Sequence, residues 1–260
     1  MLILLPPSEG KTAPAAGPRF DYSALRFPEL GPARELVLDE LARVSDSPDA
    51  LKVLKVGASL AAEVARNTRL LEEPAAPAHS VYSGVLYDAL GYGTLPPAAR
   101  ERADRQVLVV SALWGALGFA DPIPAYRLSM SARLPGTGAL AAYWKRQLSG
   151  VLDKHADGRL VVDCRSSTYA AAWAPDPASG AAVNVFQIRN GERKVVSHFA
   201  KHTRGELARH LLARSGPEPR TPGELLAAAE EKWQAELLPP AGRKPYQLNL
   251  VLPEDASFAR

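Results

Sequence analysis

Three periods of apolar residues run along this chain, and each predicts a different element. An unbroken apolar run at 2–5, and runs with apolar centres at 105–112 and 160–163, predict short strands buried on both faces of a sheet. Apolar residues three and four apart predict helices: Leu36, Val37, Leu41 and Val44 over 32–44, and Leu140, Tyr143, Trp144, Leu148, Val151 and Leu152 over 139–155. Residues 183–188 and 194–199 read as strands either side of Asn190-Gly191, the strongest hairpin signal in the chain, and 246–252 alternates as a final strand. Thr221 at N-cap, Pro222 at N1 and Glu224 as capping-box partner open a helix reaching Trp233.

Residues 49–70 divide into two short helices joined at Leu54-Lys55-Val56-Gly57, the first with Ser47 as N-cap and Pro48 at N1. Stretches 13–32 and 74–77, punctuated by Pro and Gly, read as loops; 81–92 reads as a short helix or turn, and 114–118 as the turn ending the strand before it. No internal repeat is present. The expectation is a mixed α/β (α+β) single domain over 1–260, with a central mixed sheet, surrounding helices and a helix-hairpin-helix-like insertion at 32–70.

Composition narrows the class. A 47% hydrophobic content and 23% charge are ordinary for a globular protein of 260 residues, and a net charge of +3 permits nucleic-acid binding without demanding it. A single cysteine, Cys164, excludes an internal disulfide framework and multi-cysteine metal sites. No apolar run approaches the roughly 18 residues of a membrane span, and no charged-then-apolar leader is visible, so a soluble, cytoplasmic protein without membrane contact is expected.

Charge is concentrated at 193–214, where six cations oppose the single acid Glu206, a local charge of +5. There Lys201 and Arg204 fall where the predicted strand hands over to a helix, a place suited to an anion; a solvated basic helix explains the same residues equally well. Other predicted strands also end in polar residues: Lys11 after the first, Ser111 after the second, Asp163, Arg165 and Ser166 after the third. If these strands are neighbours, their ends pool into one cationic cleft, with Arg127 contributed by the loop after Tyr126.

Several sharper motifs do not hold. Gly10-Lys11-Thr12 suggests a phosphate loop, but the required first glycine is Leu5, and Pro6 and Pro7 lack amide donors. His198 and His202 are four apart yet straddle the strand-helix junction, so no metal site is expected, and no cofactor. Cys164 could be activated by Arg165, although a small buried residue at a strand end is the simpler identity. At 53–61, Gly57 matches the second glycine of a helix-hairpin-helix turn, which offers amides to a DNA phosphate without reading bases, while Lys55 replaces the first. An ordinary αα-hairpin fits the same pattern.

Taken together, LILLPPSEGKT at 2–12, the hairpin at 51–62, VYSGVLYDAL at 81–90, SALWGAL at 111–117, YRLSM at 126–130, VVDCRSSTY at 161–169 and SHFAKHTRGELARH at 197–210 resemble the peroxide-stress YaaA family. The chain departs from better-studied relatives in opening with Pro-Pro-Ser-Glu-Gly-Lys where they have Ser-Pro-Ala-Lys. The resemblance implies survival of hydrogen peroxide through limiting free iron and iron-driven DNA damage. It also implies non-specific binding of double-stranded DNA through Lys55, Val56, Gly57 and Ser59, with Lys11, Arg127, Lys201 and Arg204 lining a cationic cleft. A rival reading stands beside it: an enzyme acting on a small anionic, nucleotide-like ligand held by Lys11, Arg127, Arg165, Ser166, Lys201 and Arg204. There Asp163 would be the general base, with Lys11, Lys201 and Arg204 stabilising negative charge. No reaction type follows from the sequence.

Overall fold

β1 (Leu2–Leu5) lies in the middle of the molecule, hydrogen-bonded on both sides and wholly buried, as four successive apolar residues require. The computed structural model describes residues 1–256, excepting the side chains of Val195, Ser197 and His198. After β1 come α1 (Gly31–Ser45), α2 (Ala50–Leu54), α3 (Ala61–Arg66), β2 (Ala76–Pro77), α4 (Ala78–Val81), α5 (Val85–Leu90) and α6 (Pro97–Gln106). A hairpin follows, β3 (Val107–Ser111) with β4 (Gly115–Gly118), then the two-residue strands β5 (Pro122–Ile123), β6 (Arg133–Leu134) and β7 (Gly138–Ala139). The last part holds α7 (Leu140–Ala156), β8 (Val161–Asp163), α8 (Ser167–Ala170), β9 (Gly180–Arg189), β10 (Glu192–Val195), α9 (Ser197–Ala213), α10 (Pro222–Glu230), β11 (Gln234–Leu238) and β12 (Tyr246–Leu252).

The main sheet runs β11-β12-β9-β8-β1-β3-β4, with β10 also paired to β9. β12, β9, β8, β1 and β3 are parallel, and β4, β10 and β11 are antiparallel to their neighbours. The mixed α/β architecture is therefore as expected. Because β8, β1 and β3 are parallel neighbours, the residues following Asp163, Leu5 and Ser111 emerge at one edge.

Several boundaries differ from those the sequence suggests. The strand expected over 194–199 ends at Val195, and α9 begins at Ser197. Space on β9 explains this: β8 takes Gly180–Ala182 and β10 pairs along Phe186–Arg189, so a longer β10 would run into β8. Lys201 and Arg204 consequently sit in the first two turns of a long helix. Residues 115–118, read as a turn, form β4, and 234–238 form β11, neither with a long apolar run to announce it. Ser47 does not cap α2; its hydroxyl donates back to Val44 O (2.7 Å), and helix begins only at Ala50. Thr221 does cap α10, accepting from Glu224 N (3.2 Å), while the Glu224 carboxylate reaches Arg220 N (2.7 Å). Asn190 (φ 52°) and Gly191 (φ 77°) form the left-handed pair expected of an Asn-Gly hairpin.

α9 packs across α5 so closely that a β-carbon on Gly205 would lie 2.2 Å from Leu86 O and 2.9 Å from Ala89 Cβ. A glycine inside a helix costs about 1 kcal/mol relative to alanine, and here it allows two backbones to meet. Gly205→Ala is accordingly expected to destabilise the fold by about 2 kcal/mol despite its better helix propensity, lowering the melting temperature by about 5 °C. A calorimetric scan showing an equal or higher melting temperature would contradict this packing.

Candidate functional site

The loop after β1 folds back over the edge where the parallel strands end. Thr12 N donates to Val81 O (2.8 Å), Ser83 N to Ser8 Oγ (3.0 Å) and the Tyr87 hydroxyl to Pro6 O (2.8 Å), stitching 6–12 onto 81–87. Lys11 pairs with Tyr82 in a one-residue antiparallel bridge, which turns its side chain inward. Its Nζ donates to Ser8 O (2.8 Å) and lies 4.3 Å from the centre of the Tyr126 ring and 5.6 Å from that of Tyr82. No carboxylate ion-pairs with it among the described residues.

Burial pushes the Lys11 ammonium down from 10.5 to about 7; the charge of Glu9 opposes the shift and that of Arg127 adds to it. Near neutral pH this amine is therefore substantially unprotonated, which makes it a nucleophile or base as well as a cation. Beneath it runs a chain of hydroxyls: Ser111 Oγ to Tyr126 OH at 2.7 Å and Tyr126 OH to Tyr82 OH at 3.0 Å. Ser111 Oγ also accepts from Leu113 N (3.2 Å) and Trp114 N (3.1 Å), so its own proton points to Tyr126. Burial raises the Tyr82 and Tyr126 phenols well above 10, keeping both protonated.

Arg127 forms the charged rim. Its Nη1 donates to Glu9 O (2.7 Å) and lies 3.5 Å from the Glu63 carboxylate; its Nη2 is 3.9 Å from that of Glu9. The buried Asn67 side chain holds its backbone through both N–H and C=O, each at 2.9 Å. Glu9 and Glu63 are site residues that sequence reasoning missed, as are Tyr82 and Tyr169, while Tyr126 enters it only as the neighbour of Arg127; an isolated tyrosine or glutamate carries no signal of what it meets far along the chain.

The residues at the end of β8 are committed to one another. Arg165 Nε and Nη2 grip the two oxygens of Asp163 at 2.8 and 2.7 Å, and Arg165 also donates to Tyr169 O (3.3 Å) and Trp173 O (2.7 Å). Both side chains are buried. Ser166 is exposed and precedes α8, whose Tyr169 is raised to about 12 by burial and by Glu9. Arg204 donates twice to Val183 O on β9 (3.1 and 2.7 Å), and its charge partly offsets the burial that pushes the Cys164 thiol up to about 12. That thiol stays protonated, in keeping with a small buried residue. Lys201 is exposed. The structure thus gathers Lys11 and Arg127, locks Asp163 to Arg165, and sets Arg204 against β9. Of the two histidines four apart, the His198 side chain lies outside the described residues, and His202 Nδ1 sits 3.2 Å from Glu206.

Beside this edge stands the hairpin between α2 and α3. Lys55 takes the left-handed conformation (φ 56°) usually given to glycine, while Lys55 N bonds Lys52 O (3.2 Å) and Val56 N bonds Leu51 O (2.9 Å). The Lys55 ammonium reaches Ser131 O at 3.3 Å. Gly57 is extended (φ −77°), and the amides of Gly57, Ala58 and Ser59 have no acceptor among the described residues on a turn open to solvent. The four residues Lys55, Val56, Gly57 and Ser59 thus lie on one exposed turn, with Val56 half-buried. Glu63 on α3, through Arg127, ties this hairpin to the Lys11 loop. No helix among the described residues is long and apolar enough to cross a membrane.

The family model described as peroxide stress protein YaaA matches residues 1–236. A UPF0246 protein of Streptomyces coelicolor is 44% identical over 98% of this chain and 99% of its own length. Relatives bearing the same name in Corynebacterium efficiens and Corynebacterium glutamicum are 43% and 41% identical, covering 86% and 88% of this chain and 90% and 92% of theirs.

Proposed function

The chain belongs to the peroxide stress protein YaaA family, and from that premise we propose that it binds double-stranded DNA without sequence specificity and so helps limit iron-driven oxidative damage. The observation that carries this reading is the set of unpaired, solvent-facing amides at Gly57, Ala58 and Ser59, beside the exposed Lys52 and Lys55. Successive amides with no internal acceptor suit a phosphate oxygen, and contacts of that kind position a duplex without reading its bases. A protein cation on a phosphate displaces the counterion there, and ferrous ion is one such counterion. Protection would then be exerted at the duplex itself.

Fluorescence anisotropy of a labelled duplex across a salt series tests the reading. Affinity is expected to fall with a log-log slope of about −3, corresponding to three or four neutralised phosphates. Gly57→Pro is the informative variant. The φ of −77° already suits proline, and a β-carbon there meets nothing nearer than Ser59 Oγ at 4.0 Å, so the fold should be kept while one donor is removed. An affinity loss of about tenfold is expected, the worth of one charge-assisted hydrogen bond. A folded Gly57→Pro protein with undiminished duplex affinity would rule out the hairpin as the contact.

A second reading is favoured by the Lys11 amine and Arg127 at one strand edge: an enzyme acting on a small anionic, nucleotide-like ligand. In it Lys11 and Arg127 would meet the ligand, while Ser166 and Lys201 stand exposed to solvent and Arg204 is held against β9. Asp163 would orient Arg165 rather than accept a proton, because both of its oxygens are occupied. Competition of free nucleotides against the labelled duplex separates the two readings.

A further inference from the structure

We propose that the Lys11 amine forms an imine with the ring-opened aldehyde of an abasic deoxyribose in bound DNA. This rests on the duplex-binding reading and adds a chemical step to it. Three observations carry it.

The first is the setting of the amine. A lysine meant only to attract phosphate would sit in solvent; Lys11 Nζ instead lies against two tyrosine rings with a carbonyl, Ser8 O, as its nearest partner. These contacts hold the amine in place, while its burial away from water disfavours the ammonium and leaves a nucleophilic lone pair. The residue nonetheless remains part-exposed.

The second is the link to the hairpin. Lys11 Nζ and Arg127 Nη1 both point at Glu9 O, at 3.5 and 2.7 Å, and the same Arg127 atom meets Glu63, six residues beyond Gly57. The 3-10 turn Ala58–Leu60 and the first residues of α3 together span about 10 Å, and a DNA strand advances about 3.4 Å per nucleotide. A strand held at the hairpin amides therefore passes the Lys11 loop within about three to five nucleotides, with Arg127 placed for an intervening phosphate. The third is a groove of about 530 Å³ beside the loop, lined by His79, Tyr82, Ser83, Tyr87, Asp88 and Tyr92, in which His79 stacks on Tyr92 at 3.7 Å. Its aromatic walls suit an unstacked nucleotide.

Intact base pairs offer an amine no reactive carbonyl, whereas a sugar that has lost its base offers C1′ as an aldehyde and is easily displaced from the stack. The Nζ lone pair forms the C–N bond, and the carbonyl electrons take up a proton to give a hydroxyl. That hydroxyl then leaves as water with a second proton while the C=N bond forms. The two protons come from the amine, so nothing is oxidised or reduced.

The test uses the full chain, a labelled duplex with one abasic site, an intact duplex of the same sequence, and sodium borohydride. Anisotropy measures binding to both; the denaturing gel measures borohydride-trapped adduct, and peptide mapping locates it. The expected result is an adduct with the abasic duplex alone, mapped to Lys11 and reduced at least twentyfold in Lys11→Met and Lys11→Arg. Trapping should level off above pH 7 and be about tenfold slower at pH 6, where an ordinary lysine would keep gaining rate to pH 10. Normal abasic-duplex binding without adduct, or an adduct on another amine, overturns the imine and leaves DNA binding standing. Failure to bind either duplex removes both.

Discussion

Replacing Arg34 by methionine is expected to cost about 4 kcal/mol of folding stability. The side chain is fully buried, and its three nitrogens donate to four carbonyls: Trp114 O (3.0 Å), Phe27 O (3.1 Å), Arg26 O (2.7 Å) and Ala116 O (2.8 Å). These belong to the 26–27 turn, where Phe27 is left-handed (φ 64°), and to the β3–β4 hairpin. One guanidinium thus joins α1 to a strained turn and to the edge of the sheet. Among the described residues no carboxylate touches it, and burial pulls it down to about 10, with Asp121 opposing from a distance. Methionine fills similar volume but leaves four buried acceptors without donors, each worth about 1–3 kcal/mol, offset in part by removing a desolvated charge. Lysine would serve fewer of them and should lose about half as much. Urea denaturation gives the answer directly; an unchanged midpoint for Arg34→Met would mean that the carbonyls find other donors.

Asp163→Asn is the second large effect, expected at about 3–5 kcal/mol. It leaves Arg165 charged, buried and without a counterion, the situation in which breaking an ion pair is most destabilising. Asp163→Leu combined with Arg165→Met removes both charges and should recover much of the loss, because a buried pair adds little over a well-packed apolar one. The denaturation midpoints of the unaltered protein, Asp163→Leu, Arg165→Met and the double variant check the argument. Equal losses in the double and single variants would indicate that the hydrogen bonds from Arg165 to Tyr169 O and Trp173 O, rather than the pair, hold this loop.

Both residues illustrate what could be read along the chain and what could not. The apolar runs of β1, β3 and β8 are legible because doubly buried strands have no polar face to alternate. The Asn190-Gly191 turn and the Thr221 cap are legible because their chemistry is local. Arg34 falls within a predicted helix like any surface arginine; only the approach of residues 114 and 116 makes it interior. The end of β10 is set by the room left on β9, and the need for Gly205 is set by Leu86. At the site, Lys11 and the strand-end residues follow from apolar runs ending in polar residues, and Arg127 reads only as a cation beside Tyr126 in a loop. The tyrosines around the amine belong to segments 71 and 115 residues further along, joined by contacts no local pattern encodes. The Asp163–Arg165 pair was two residues apart in plain view, but spacing alone does not say whether such a pair faces a ligand or itself.

The position of β1 between β3 and β8 also governs how the chain must acquire its structure. Leu2–Leu5 is synthesised about 100 residues before Val107–Ser111 and about 160 before Val161–Asp163, the strands that flank it. At about 5–20 residues per second, this apolar segment waits roughly 10–30 s for its second neighbour. Parallel pairing over such separations is slow, because loop closure comes before any contact that rewards it. Until then the segment is a sticky edge, open to chaperones and to like segments on other ribosomes. The centre of the native sheet is thus the part of this protein most at risk during its own synthesis.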